Sequence, residues 1–144
     1  MLEEFSDITL VDQLGRTRQA RLTYTTPAPC TLRLRAAGTS TGEDAVAVGG
    51  DLFDCLTEIR RSLEPRGLLP LVEGACRDVY PSRMTRQMGE GRRAYRLRMG
   101  EQARREDLVD IFAPASRARV GTVDEQAEHF RRWIASLAST VPGG

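Results

Sequence analysis

The chain contains no lysine and no asparagine, so each of its 21 basic side chains is an arginine. High-GC coding is the plain explanation. A demand for planar, forked donors, which guanidinium supplies and ammonium does not, would leave the same trace. Histidine is nearly absent too. The one copy, His129, sits inside a helical pattern with no His or Cys at ligand spacing, so no zinc-type site is expected. The three cysteines are an odd number, 25 and 21 residues apart, with no C-x-x-C pair. They point to reduced thiols in a cytoplasm rather than a disulfide framework. No stretch approaches the roughly 18 consecutive apolar residues of a membrane helix, so no membrane association is expected. The acidic start Met1-Leu2-Glu3-Glu4 leads straight into a strand-like pattern and does not fit a secretory signal. With a net charge of only +1, generic nucleic-acid binding is also unexpected.

What is present suits one ordinary globular domain. The 144 residues are 40% hydrophobic and 28% charged, near the commonest domain size and able to bury a core unaided. Alternation marks four strands in the first third. In residues 5–12, Ile8 and Leu10 share a face. In 18–25, Ala20, Leu22 and Tyr24 oppose Gln19, Arg21 and Thr23. In 31–36, Leu32 and Leu34 turn inward and Arg33 and Arg35 outward, and residues 45–48 follow a polar loop at 38–44.

A helix is expected over 51–63, with Asp51 as its N-cap and a stripe of Leu52, Phe53, Leu56, Ile59 and Leu63. Residues 68–72 read as a central strand, although Pro70 weakens its ladder. A short helix at 82–88, with Met84 and Met88 on its inner face, precedes strands at 92–99 and 107–112. A last helix spans 122–138, opened by the capping-box pair Thr122 and Glu125. The expected order is ββββ-α-β-(short α)-ββ-α. That is an α+β fold with an N-terminal antiparallel β-meander and two main helices packed on an antiparallel or mixed sheet. It forms a single domain over 1–144 with a tail frayed from about 140.

One segment stands out. Between Arg77 and Arg98 lie seven arginines against two acids, with Tyr80, Tyr95, Met84 and Met88 among them. Within it Gly89-Glu90-Gly91-Arg92-Arg93-Ala94 fits G-x-G-x-x-A, but it precedes a strand instead of opening a helix, which removes the dinucleotide reading. Gly49-Gly50 before the first helix could seat a phosphate, except that Asp51 competes for the same amides. Cys76 beside Arg77 is the only candidate nucleophile, with His129 as a conceivable base. No motif asks for a cofactor.

The arginines carry the functional expectation, set against the plain alternative of a solvated face knit by ion pairs. Arg and Tyr favour interface centres. The leading expectation is a non-catalytic module that meets a protein partner through Arg77, Asp78, Tyr80, Arg83, Arg86, Arg93 and Tyr95. An accessory or immunity-type role would suit its size. The second is an enzyme or sensor that binds a phosphorylated or carboxylated small anion, with Arg83 and Arg86 gripping it together. The third is a homo-oligomer that uses this segment as a self-interface.

Overall fold

A computed structural model describes residues 2–37 and 45–140. The loop expected at 38–44 and the tail beyond 140 lie outside the described residues. Four N-terminal strands, β1 (Leu2–Val11), β2 (Thr17–Thr26), β3 (Cys30–Ala36) and β4 (Ala45–Gly49), form the expected meander. With β5 (Leu69–Pro70) they make a curled five-stranded antiparallel sheet in the order β4-β3-β2-β1-β5. Period-two alternation builds it. Leu32, Leu34, Leu22, Tyr24, Ile8 and Leu10 turn to the inner face and are buried, whereas the intervening polar side chains line the outer face.

Helix α1 (Leu52–Leu63) covers that inner face. Asp51 caps it by accepting from the Asp54 amide at 2.8 Å, and its buried stripe is the expected one with two additions, Cys55 and Arg60. The chain then turns through a 3-10 segment, Glu64–Arg66, to β5. This strand is at the sheet edge, paired only to β1, and not central. Pro70 has no N–H to donate to a second neighbour, which confines it to an edge.

A second, three-stranded antiparallel sheet follows in the order β6-β7-β8, built from β6 (Val79–Tyr80), β7 (Arg93–Arg96) and β8 (Leu108–Asp110). The last two strands fall within the spans expected for them, 92–99 and 107–112, and are shorter; two-residue β6 was not legible. Helix α2 (Arg83–Met88) links β6 to β7, and α3 (Val123–Thr140) closes the chain. The Thr122–Glu125 capping box is present, with reciprocal bonds of 2.8 and 3.1 Å. On α3, Val123 and the polar Gln126 are buried, while Ile134 is half exposed.

Gln126 is turned inward by a polar centre between the two halves. Arg60 is fully buried and donates to Gln126 Oε1 at 2.6 Å and to the carbonyls of Gly121 (3.1 Å), Gly74 (3.4 Å) and Ala75 (3.5 Å). Gln126 Nε2 in turn donates to the carbonyls of Gly74, Cys76 and Val79, each at 2.9 Å. No carboxylate bonds to Arg60 among the described residues, and burial draws its pKa down to about 10. The backbone here comes very close. A Cβ on Gly74 would lie 2.6 Å from Leu56 Cδ2 and 2.8 Å from Ile111 Cβ.

Candidate functional site

The arginine-rich segment runs through β6, α2 and β7, and most of its guanidinium groups are already engaged. Arg77 donates to the carbonyls of Val120 (3.2 Å) and Ala118 (2.5 Å). Arg92 grips Asp110 with two bonds of 2.8 and 2.9 Å, donates to the Tyr24 hydroxyl at 2.6 Å and lies over the Tyr24 and Phe112 rings. Arg96 pairs with Glu73 at 2.8 Å and Arg98 with Asp107 at 3.0 Å. Asp78 is held by Arg119 at 3.2 Å, and the same arginine bonds to Glu73 at 2.8 Å. Burial opposes the charge on Glu73, yet hydrogen bonds from Arg119 and Arg96 hold its carboxyl below the usual carboxylate range.

Tyr80 stacks on Phe130, ring centroids 4.0 Å apart and 14° from parallel, and meets Phe53 edge-on at 5.4 Å. Tyr95 lies opposite it in the β6–β7 register. Arg86 sits above this aromatic group, 5.3 Å from the Phe53 centroid and 5.6 Å from that of Tyr80. It bonds to Asp51 at 3.0 Å and Asp54 at 2.9 Å. Partial burial works against its charge, but those two carboxylates outweigh the cost and raise its pKa.

The expected inner face of α2 is therefore inverted. Arg86 points inward to the first turn of α1, and the methionines point out: Met84 is 66% exposed and Met88 81%. Two acids at the head of α1, more than 30 residues away in sequence, outbid two thioethers for the inward position. Arg83 is exposed on the same helix with no partner among the described residues, and so is Arg93 on β7. The segment thus separates into five arginines spent within the molecule and two left to solvent. Arg83 and Arg86 do not converge on a shared anion.

Helix α2 is short but well fixed. Ser82 and Thr85 form a capping box, and the Gly89–Gly91 turn that ends it returns Gly89 and Gly91 amides to the Thr85 carbonyl. Glu90 adopts φ 57° and Gly91 φ 70° in that turn. A Cβ on Gly91 would lie 2.7 Å from Asp51 Oδ1, so G-x-G here serves a tight approach to the α1 cap. The amides that a phosphate at Gly49-Gly50 would need are taken: the Leu52 N–H donates to the Glu90 carbonyl at 2.7 Å and that of Asp54 to Asp51.

No family model matches the chain, and no curated protein matches it.

The remaining chemical candidates fare differently. Cys76 is fully buried, and burial pushes its thiol up to about 12, despite Arg119 acting in the opposite direction. The Arg77 guanidinium is turned to carbonyls and does not activate it. Cys30 and Cys55 are likewise buried, with thiols pushed up to about 11 and 12. Among the described residues, no group of three or more His, Cys, Asp or Glu is placed to hold a metal ion, and no helix is long and apolar enough to cross a membrane. A groove of about 1080 Å³ lies on the outer face of the five-stranded sheet, with Arg21, Arg33, Arg35 and Val46 among its walls. The outward phase of Arg33 and Arg35 follows from the sequence; the groove depends on how the strands curl together.

Proposed function

We propose that this chain is a non-catalytic binding module that docks a partner protein on the outward face of α2, within the arginine-rich segment. The observation that carries the reading is the pair Met84 and Met88, exposed four residues apart on a helix pinned from behind by Arg86. Methionine offers an apolar surface that adapts to its partner, and Met and Arg are both enriched at interface cores. Arg83, on the same helix and unpaired, supplies a donor pair for a carboxylate of the partner. The reading includes a cytoplasmic location, in keeping with three free and buried thiols.

Affinity capture with the full chain and with Met84→Ser/Met88→Ser tests it. Both side chains are exposed, so the unfolding midpoint stays where it is, while a protein retained by the native chain is lost. Retention of the same proteins by both chains overturns the reading. Light scattering on the two chains separates a self-interface, which would show as a fall in mass in the variant. A thermal-shift hit with a phosphorylated or carboxylated compound, lost in Arg83→Ala, would favour the small-anion reading instead.

A further inference from the structure

The two edges of the five-stranded sheet are built differently. At one end β5 contributes two residues, one of them Pro70, and the chain beyond it returns to β1 through the Leu71 amide on the Thr9 carbonyl at 2.8 Å. A short strand with a proline is the usual way to close an edge against pairing. At the other end β4, with the sequence Ala-Val-Ala-Val-Gly, has no proline and no charge, and among the described residues no strand pairs with its outer side. Val46 and Val48 stand on its outer face, 59% and 64% exposed. Among the described residues this edge is unpaired, and its side chains are apolar.

Among the described residues, the charged side chains on the outer face of the neighbouring strand β3 are all positive. On the outer face of β3 the side chains are Thr31, Arg33 and Arg35, and Arg33 lies opposite Val46 in the register. Arg33 is exposed and has no partner among the described residues. The acids of this face that line the groove, Glu3 and Asp7, are on β1, two strands further in, and Asp7 is already bonded to Arg21 at 2.7 Å.

We propose that β4 receives an extended, acidic segment of a partner protein as an added antiparallel or parallel strand, in a docking mode separate from the α2 face. A new strand lies about 4.8 Å beyond β4 and places alternate side chains on the outer face. The residue opposite Val48 is apolar and packs on it. The residue opposite Val46 is in line with Arg33, two strand spacings or about 10 Å away between Cα atoms, a span that an arginine and a glutamate bridge above the valine. The recognised pattern is therefore an apolar residue and an acid two apart, read by side chains, with affinity supplied by backbone hydrogen bonds. A second copy of the chain fits less well. Its own β4 has no acid to offer Arg33, and a pair of five-residue strands falls well short of the roughly 800 Å² per partner that stable dimers bury.

The test is selection of displayed random twelve-residue peptides on the full chain and, in parallel, on Arg33→Glu. The expected result is enrichment of an acid two residues from a β-branched or aromatic residue on the native chain, and of a Lys or Arg in that place on the variant. The selected acidic peptides bind the variant about tenfold or more weakly, and on the native chain they slow hydrogen exchange of amides within 45–49. No enrichment, a pattern indifferent to the charge at position 33, or protection elsewhere overturns the proposal. So does a dimer in light scattering that Val48→Glu converts to monomer, since the second copy would then own the edge. Position 33 is exposed, and an unchanged urea midpoint shows that the variant is folded. Because neither substitution touches α2, failure here leaves the Met84/Met88 reading standing, and the reverse holds too.

Discussion

Replacing Gln126 by Leu removes the acceptor that sits 2.6 Å from the Arg60 guanidinium, together with the three 2.9 Å donations to Gly74, Cys76 and Val79. A neutral buried hydrogen bond contributes about 1 kcal/mol net, and one to a charged group about 1.5–3 kcal/mol. The variant is thus expected to lose about 4–6 kcal/mol, comparable to the entire stability of many domains. Arg60→Met alone strips donors from the Gly121 and Ala75 carbonyls and costs about 2–4 kcal/mol. Combined, the two changes leave no buried charge without acceptors. The double variant is therefore expected to be about 1.5–3 kcal/mol more stable than the sum of the single losses allows. Urea unfolding, followed by circular dichroism and by the emission of the single tryptophan, Trp133, measures all four corners of the cycle. Additivity within about 0.5 kcal/mol, or a Gln126→Leu cost below about 1 kcal/mol, would show that the guanidinium is satisfied by other means and refute the reasoning.

Two further outcomes follow from the paired groups. Glu73 has a folded pKa below its ordinary 4.5, so its ionised form favours the native state: the contribution is fully present above about pH 4.5 and fades as the pH falls through the folded value. Glu73→Gln is expected to cost about 2–3 kcal/mol at pH 7 and to flatten the acid limb of a stability-against-pH curve, and an unchanged limb would contradict the assignment. Cys76, fully buried with its thiol pushed up to about 12, is expected to resist alkylation by iodoacetamide at pH 7.5 until denaturant is added; labelling of the native chain at that position by mass spectrometry would reopen a thiol chemistry.

The legible parts of this fold are those set by local period. Alternating apolar residues announced β2 and β3, and Asp51, Ser82 and Thr122 marked three helix starts that the structure bears out. What escaped was decided by partners distant in sequence. Arg86 turns inward because Asp51 and Asp54 wait 35 and 32 residues back, and a helix of six residues has too few turns for its own pattern to reveal which side faces in. Arg60 could have been suspected. On a helical wheel it falls between Phe53 and Leu56, inside the stripe, a place where charge needs a dedicated set of acceptors. Nothing in the sequence pointed to Gln126 as one of them. Tyr80 reads as a surface aromatic until Phe130 of α3 covers it. The same logic applies to the candidate site: the segment was visible as a composition, but which arginines remain free depended on acids scattered from Asp51 to Asp110.

Arg60 belongs to the first half of the chain, and its four acceptors all lie between residues 74 and 126. A chain cut after the first helix would keep the apolar surface of four strands in hand but strand an ionised guanidinium in the middle of it, so the meander with α1 is a poor candidate for an autonomous fragment. Conversely, the second half supplied in trans would bring back the missing carbonyls and Gln126 together. Split at the Glu64–Arg66 turn, the two pieces form a natural complementation pair, each kept from folding alone by what the other holds.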